Sequence, residues 1–225
     1  TKGGNSFETL PSGGWGRDFT SAFIEKCLEE SLRRLGREAI DLYLLHNPKL
    51  DDMKAEDCYA FLEKCKDNGK LRAWGVSVNT AEECDYAIES KKPTLLQMEY
   101  NVLEQEAAES FARAKGKEVG VICRVPLKRG FLSGRFDETA EFGEDDMRRR
   151  ILTAENIRKF QEKLNRLRDV AGQLNLSPAE VAIRFCVSNP NISTIIPGIR
   201  TEEQARQNAA SGDPLPIEAV KRLLE

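Results

Sequence analysis

Residues 40–48 read IDLYLLHNP, and this stretch constrains the fold more than any other. Five of its first six residues are Ile, Leu or Tyr. A short, near-continuous apolar run closed by turn-forming residues is the pattern of a strand buried on both faces, as in a parallel sheet. Pro48 stops the strand. Its C-terminal end delivers His46, the only histidine in the chain. Taken alone, a histidine on a buried strand is most often a packed, hydrogen-bonded core residue.

The rest of the chain alternates around this strand. A helix is expected over 21–35, with Thr20 as N-cap and Gly36 just past its end. Further strands are expected over 71–78, 95–101, 120–126 and 194–199. Helices are expected over 55–68, 81–89, 106–117, 155–173, 179–188 and 202–210. Residues 1–4 read as the tail of a strand, and 5–18 as a Gly-rich loop. In that loop Trp15 and Phe19 either line a substrate mouth or form a hydrophobic cluster. Residues 127–153 break the rhythm and read as an excursion over one face. Repeated strand–helix units with short connections call for an all-parallel α/β sheet, either doubly wound or closed as a (β/α)8 TIM barrel. A barrel needs two more strands, and most of the first visible one, ahead of Thr1. The chain also opens without Met and stops inside a helix-like stretch, IEAVKRLLE. We therefore expect a single barrel domain over 1–225 that is a fragment of a longer protein.

Composition narrows the function. The 225 residues carry a formal net charge of −3, with 40% hydrophobic and 32% charged residues. The lack of a basic stripe argues against nucleic acid as a partner. The basic run 148–150 follows the acidic run 144–146, so their charges largely cancel. No apolar segment approaches the ~20 residues that span a bilayer, and no signal-peptide pattern opens the chain. The six cysteines form no C-x-x-C pair and have one histidine to share. They read as reduced thiols of a cytoplasmic protein rather than as metal ligands.

Six motifs stand in a fixed order: TKGG, IDLYLLHNP, RAWGVSV, LLQMEYN, RVPLKRGFLSGRF and IPGIRTEEQARQNAA. In order and spacing the chain resembles the aldo-keto reductases over essentially its whole length, in particular bacterial members with GGWGRDFT after TKGG. The resemblance implies a (β/α)8 barrel that reduces aldehydes or ketones to alcohols with NADPH. It implies a catalytic set of Tyr, Asp, Lys and His, in which Lys2 and His46 match the last two. Hydride addition to a carbonyl makes an alkoxide, so a proton donor must stand at that oxygen. A tyrosine with an ordinary pKa of about 10 needs a nearby ammonium to help it near neutrality. The family's Asp and Tyr precede TKGG and so lie upstream of this sequence. No tyrosine present stands in a matching motif. The 225 residues alone are accordingly expected to be inactive.

The resemblance also implies cofactor contacts. Ser77 and Gln97 match the residues that hold the nicotinamide carboxamide. The family's usual GVSN is GVSVN here, so Ser77 carries over and Asn79 does not. Arg124 takes the place of a ring that stacks on the nicotinamide, and a planar guanidinium can do the same. The alternative for Arg124 is pairing with a barrel carboxylate. Leu127, Gly130, Leu132, Gly134 and Arg135 match the pyrophosphate loop, where glycines allow close backbone approach. Gly198 and Arg200 match the end of the last strand and the grip on the 2′-phosphate, at a helix N-terminus that favours phosphate. Gln204 and Asn208, one turn apart, match the adenine contacts. The rival reading is a non-catalytic, NADPH-binding regulatory protein on the same barrel, since fold alone does not fix function.

Overall fold

The computed structural model describes residues 1–9, 15–54, 57–91, 93–136, 141–144, 146–150 and 153–225. Its strands are β1 (Lys2–Gly3), β2 (Asn5–Thr9), β3 (Trp15–Arg17), β4 (Ile40–His46), β5 (Leu71–Ser77), β6 (Leu95–Glu99), β7 (Gly120–Arg124) and β8 (Thr194–Ile196). Its helices are α1 (Ser21–Leu35), α2 (Leu50–Lys54), α3 (Asp57–Asp67), α4 (Ala81–Tyr86), α5 (Ala108–Gly116), α6 (Ala154–Lys159), α7 (Gln161–Leu174), α8 (Pro178–Val187), α9 (Glu202–Ala210) and α10 (Ile217–Leu224). Six strands form one sheet in the order β1-β4-β5-β6-β7-β8, while β2 and β3 pair separately. The β1–β4, β4–β5, β5–β6 and β7–β8 pairings are all parallel. This is the α/β architecture of a partial (β/α)8 barrel.

The chain divides into two compact units, 1–98 with 109–121, and 99–108 with 122–225. In the first, α1 packs on α3 and β1, and α3 packs on β5. The core there includes Ile24, Leu28, Leu45, Leu62, Trp74 and Val76, each essentially inaccessible to solvent. In the second, α8 lies against α7, α9 and β8, and α10 packs on α7. Tyr100 stacks on Phe185 with ring centroids 5.6 Å apart.

Local chemistry explains most element ends. The Thr20 hydroxyl accepts from the Phe23 N–H at 3.4 Å, and Gly36 closes α1 in the left-handed region with φ 60°. Thr80 and Glu83 form a reciprocal capping box on α4, as Ser177 and Glu180 do on α8, whose first residue is Pro178. Three expectations needed correction. The Gly-rich loop holds an antiparallel hairpin, β2 with β3. The long helix expected over 155–173 is two helices, because Phe160 leaves helical geometry (φ −103°, ψ 9°) and sets its ring edge-on to Phe131, 6.0 Å away. The helix after Thr80 widens into a π-helical turn over Ala87–Lys91. Of the excursion, residues 137–140, 145, 151 and 152 lie outside the described residues.

All six cysteines are free thiols, and five of them are buried. Cys123 and Cys186 both donate to the Tyr100 carbonyl, at 3.2 and 3.4 Å. Burial pushes the Cys84 thiol up to about 12. Thiolate is the reactive form, so under native conditions a thiol reagent is expected to label half-buried Cys27 quickly and the other five only on unfolding. Mass spectrometry of the labelled protein checks this, and rapid modification of more than one site would contradict it.

Candidate active site

The parallel register brings polar groups to the C-terminal ends of the strands in the first unit. His46 pairs with Ser77 across β4 and β5, and Ser77 pairs with Gln97 across β5 and β6. Lys2 pairs with Leu44, two residues short of that level. In a barrel these strand ends are where chemistry is built. The Lys2 ammonium donates to the Gln97 side-chain carbonyl. The Ser77 hydroxyl is 2.8 Å from Asn47 Oδ1 and 3.4 Å from Gln97 Oε1. Ser77 and Gln97 are nearly buried, and Lys2 and His46 half-buried. The structure therefore bonds Lys2 to Gln97 and sets Ser77 beside Gln97 and Asn47, with His46 on the adjoining strand end.

Asn5 and Asn47 enter this site without a signal in the sequence reading. The Asn5 amide nitrogen lies 2.9 Å from His46 Nδ1. With the amide NH2 turned to the ring, Nδ1 is assigned as the acceptor and the ring proton to Nε2. His46 is thereby presented as a hydrogen-bond donor from Nε2. Asn47 sits in the left-handed region at φ 58°, which asparagine tolerates better than most residues. Its N–H bonds the Ser77 carbonyl at 2.9 Å, and its own carbonyl accepts from Arg17 at 3.2 Å. The Asn-Pro pair ending the strand is a turn signal that marks Asn47, whereas nothing in sequence ties Asn5 to His46. Asn79 is exposed, and its N–H is given to the Glu83 carboxylate at 2.7 Å.

Tyr43 is buried beside Gly3 and Cys27, and among the described residues its hydroxyl has no hydrogen-bond partner. Burial raises its pKa, opposite to the shift an ammonium would cause. Tyr59 packs against Trp74, 5.6 Å between centroids. Tyr86 lies at the end of α4. Tyr100 belongs to the second unit, where burial likewise raises its pKa. Phe19 is a cluster residue, its ring filling the space where a side chain on Gly4 would go. The Trp15 side chain lies outside the described residues.

The second unit carries the other predicted residues. Arg124 ends β7 with Nη1 3.9 Å from the Glu99 carboxylate, which is the barrel-carboxylate pairing weighed above. Glu99 also accepts from Lys128 at 2.5 Å and from Asn101 at 3.1 Å. Asn101 in turn donates to the Val125 carbonyl at 3.2 Å. These contacts hold a contorted turn in which Val125, Lys128, Arg129 and Gly130 all have positive φ. For a β-branched residue such as Val125 that is a true outlier, and strain of this kind gathers at ligand clamps. Leu127 starts the 3-10 turn, Leu132 is fully buried, Gly134 closes the turn at φ 73° against Pro178, and Arg135 is exposed.

Gly198 and Arg200 are exposed just after β8. Among the described residues, no atom beyond its own chain neighbours lies within 4 Å of where a Gly198 side chain would start. Thr201 caps α9, accepting from the Gln204 N–H at 3.2 Å. The Gln204 side chain accepts from the Arg200 N–H at 2.8 Å, and Asn208 donates to the Gly198 carbonyl at 3.3 Å. Both amides expected at adenine thus also brace the segment between β8 and α9. Asp146, held down to about 2 chiefly by its bonds to Arg148, also feels the Arg200 charge. Taken by itself, unit one offers a hydroxyl and an amide that suit a carboxamide; unit two, taken by itself, offers a Gly-rich strained turn, open space at Gly198 and the cations Arg135 and Arg200, which suit phosphate groups. Among the described residues no cluster of His, Cys, Asp and Glu could hold a metal ion, and no helix is long and apolar enough to cross a membrane.

Comparison with known proteins agrees with the partial barrel architecture. The aldo/keto reductase family matches residues 1–225, so the chain belongs to that family. An NADP(+) aldo-keto reductase of Schizosaccharomyces pombe is 30% identical over 192 residues, covering 83% of this chain and 56% of that protein. A probable voltage-gated potassium channel subunit beta of Oryza sativa subsp. japonica is 27% identical over 210 residues, covering 86% of this chain and 62% of that protein. The chain therefore spans between about half and two thirds of the length of these two relatives. Among solved structures, glycerol dehydrogenase of Gluconobacter oxydans superposes with a TM-score of 0.83 at 26% identity, over 99% of this chain and 69% of that one.

Proposed function

We propose that this chain belongs to a cytoplasmic oxidoreductase that reduces aldehydes or ketones to alcohols with NADPH. The observation carrying this reading is the polar set at the strand ends, with Lys2 bonded to Gln97, Ser77 level with Gln97, and His46 on the adjoining strand end. Bound NADPH would supply the hydride. Ser77 and Gln97 hold the carboxamide, and Arg124 supports the ring. Residues 127–135 and Arg200 take the phosphates, and Gln204 and Asn208 the adenine. His46 donates from Nε2 to the carbonyl oxygen and polarises it, and Lys2 supplies the positive charge that helps a phenol give up its proton. That phenol and its partner Asp are expected upstream of Thr1, since no tyrosine of this chain stands in the family's motif.

The potassium-channel relative favours a second reading, a cofactor-binding subunit without turnover. One experiment separates the two. The 225-residue chain is titrated with NADPH and then assayed for NADPH consumption with a panel of small aldehydes. The expected outcome is binding without consumption, with turnover appearing in a longer chain that includes the upstream Asp and Tyr. Binding without turnover in that longer chain would favour the subunit. Consumption by the 225 residues alone would overturn the placement of the proton donor, and failure to bind would remove the cofactor reading.

A further inference from the structure

The Ser77 hydroxyl has one hydrogen and two acceptors in reach, Asn47 Oδ1 at 2.8 Å and Gln97 Oε1 at 3.4 Å. Gln97 Oε1 already receives the Lys2 ammonium. Asn47 Oδ1 is nearer by 0.6 Å and takes the hydrogen, so Ser77 faces a ligand with lone pairs only. Gln97, its carbonyl held by Lys2, faces a ligand with its NH2. The two side chains are level in register and differ in sense, one accepting and one donating. A primary carboxamide carries one C=O and one NH2, so it fits this pair in a single orientation: oxygen on Gln97 and nitrogen on Ser77.

The geometry points to Asn47 as the positioning residue that fixes this polarity. Its backbone is tied on both sides, N–H to the Ser77 carbonyl and C=O to Arg17, and its left-handed conformation accompanies the bond from its Oδ1 to the Ser77 hydroxyl. Without its oxygen, the Ser77 hydroxyl is released to turn and donate, and the pair no longer distinguishes the two ends of a carboxamide. The inference rests on the NADPH reading above.

The test is an equilibrium titration of the full 225-residue chain with NADP+ and with its 3-acetylpyridine analogue, which keeps the carbonyl and replaces NH2 by methyl. The unaltered chain is expected to prefer NADP+ by about tenfold, the worth of one accepted hydrogen bond in a nearly buried site. Asn47→Gly keeps the positive φ accessible and removes the side chain, and is expected to bring the ratio to about two or less. Asn47→Asp restores an acceptor oxygen and is expected to restore the preference. A loss of folding alone would weaken both ligands together and leave their ratio unchanged. An unaltered chain that binds both ligands equally, or an Asn47→Gly chain that keeps the tenfold preference, would overturn the inference while leaving the cofactor reading standing. A chain that binds neither would remove both.

Discussion

Trp74→Ala is expected to lower the stability of the chain by roughly 3–5 kcal/mol, the range for emptying a large buried aromatic site. Trp74 lies in β5, whose neighbours β4 and β6 are both paired in parallel, so backbone movement to refill the cavity is restricted. The ring is 1% exposed and packs against Tyr59. Its indole N–H donates to Glu63 at 2.6 Å, and the Glu63 side chain is half exposed, so water replaces that bond when it is lost. The cost therefore comes chiefly from the cavity and lost burial, and Trp74→Phe should cost clearly less. Urea unfolding checks this, as a lowered midpoint with unchanged slope. Near-equal losses for the two variants would put the hydrogen bond, not the packing, in charge.

The second large effect concerns the cofactor. Arg200→Ala is expected to weaken NADPH binding about 10- to 100-fold, because hydrogen bonds to a charged group are worth ~1.5–3 kcal/mol. NADH lacks the 2′-phosphate and should bind the variant and the unaltered chain alike. The difference between the two cofactors is the informative quantity, since general disruption would weaken both. Arg200 is exposed, and its backbone N–H is braced by Gln204, so removing the guanidinium leaves the segment between β8 and α9 in place. An unchanged NADPH affinity would move the phosphate contact elsewhere in the second unit.

Much of the fold was legible because the code is local. Strand β4 begins and ends where the apolar run and the His-Asn-Pro stop place it, and Thr20, Gly36, Ser177 and Pro178 mark helix ends by chemistry that reaches three or four residues. The hairpin β2–β3 was hidden because a glycine-rich stretch between two elements reads as loop whether or not it pairs. The break at Phe160 was hidden because the apolar positions run through it in helical phase, and the ring contact with Phe131 lies far off in sequence. The site divided in the same way. Lys2, His46, Ser77 and Gln97 could be singled out by motif. Asn5 and Asn47 act across 41 and 30 residues of chain, and no spacing rule reaches that far. Arg124 matched its motif and also pairs with Glu99, the barrel-carboxylate alternative the sequence allowed.

The Glu99 cluster has a consequence for the rate at which an anion finds this protein. Arg124 and Lys128 share one carboxylate, and Lys128 also lies 3.9 Å from Glu104, so the group is close to neutral and casts little field beyond its own contacts. Exposed Arg135 and Arg200 are left to generate the attraction felt from a distance. Charges in water act at long range only within a Debye length, about 8 Å at physiological salt. Encounter with a polyanionic cofactor should therefore slow as salt is added, while the local grip of the Glu99-braced turn, set at contact distance, changes little.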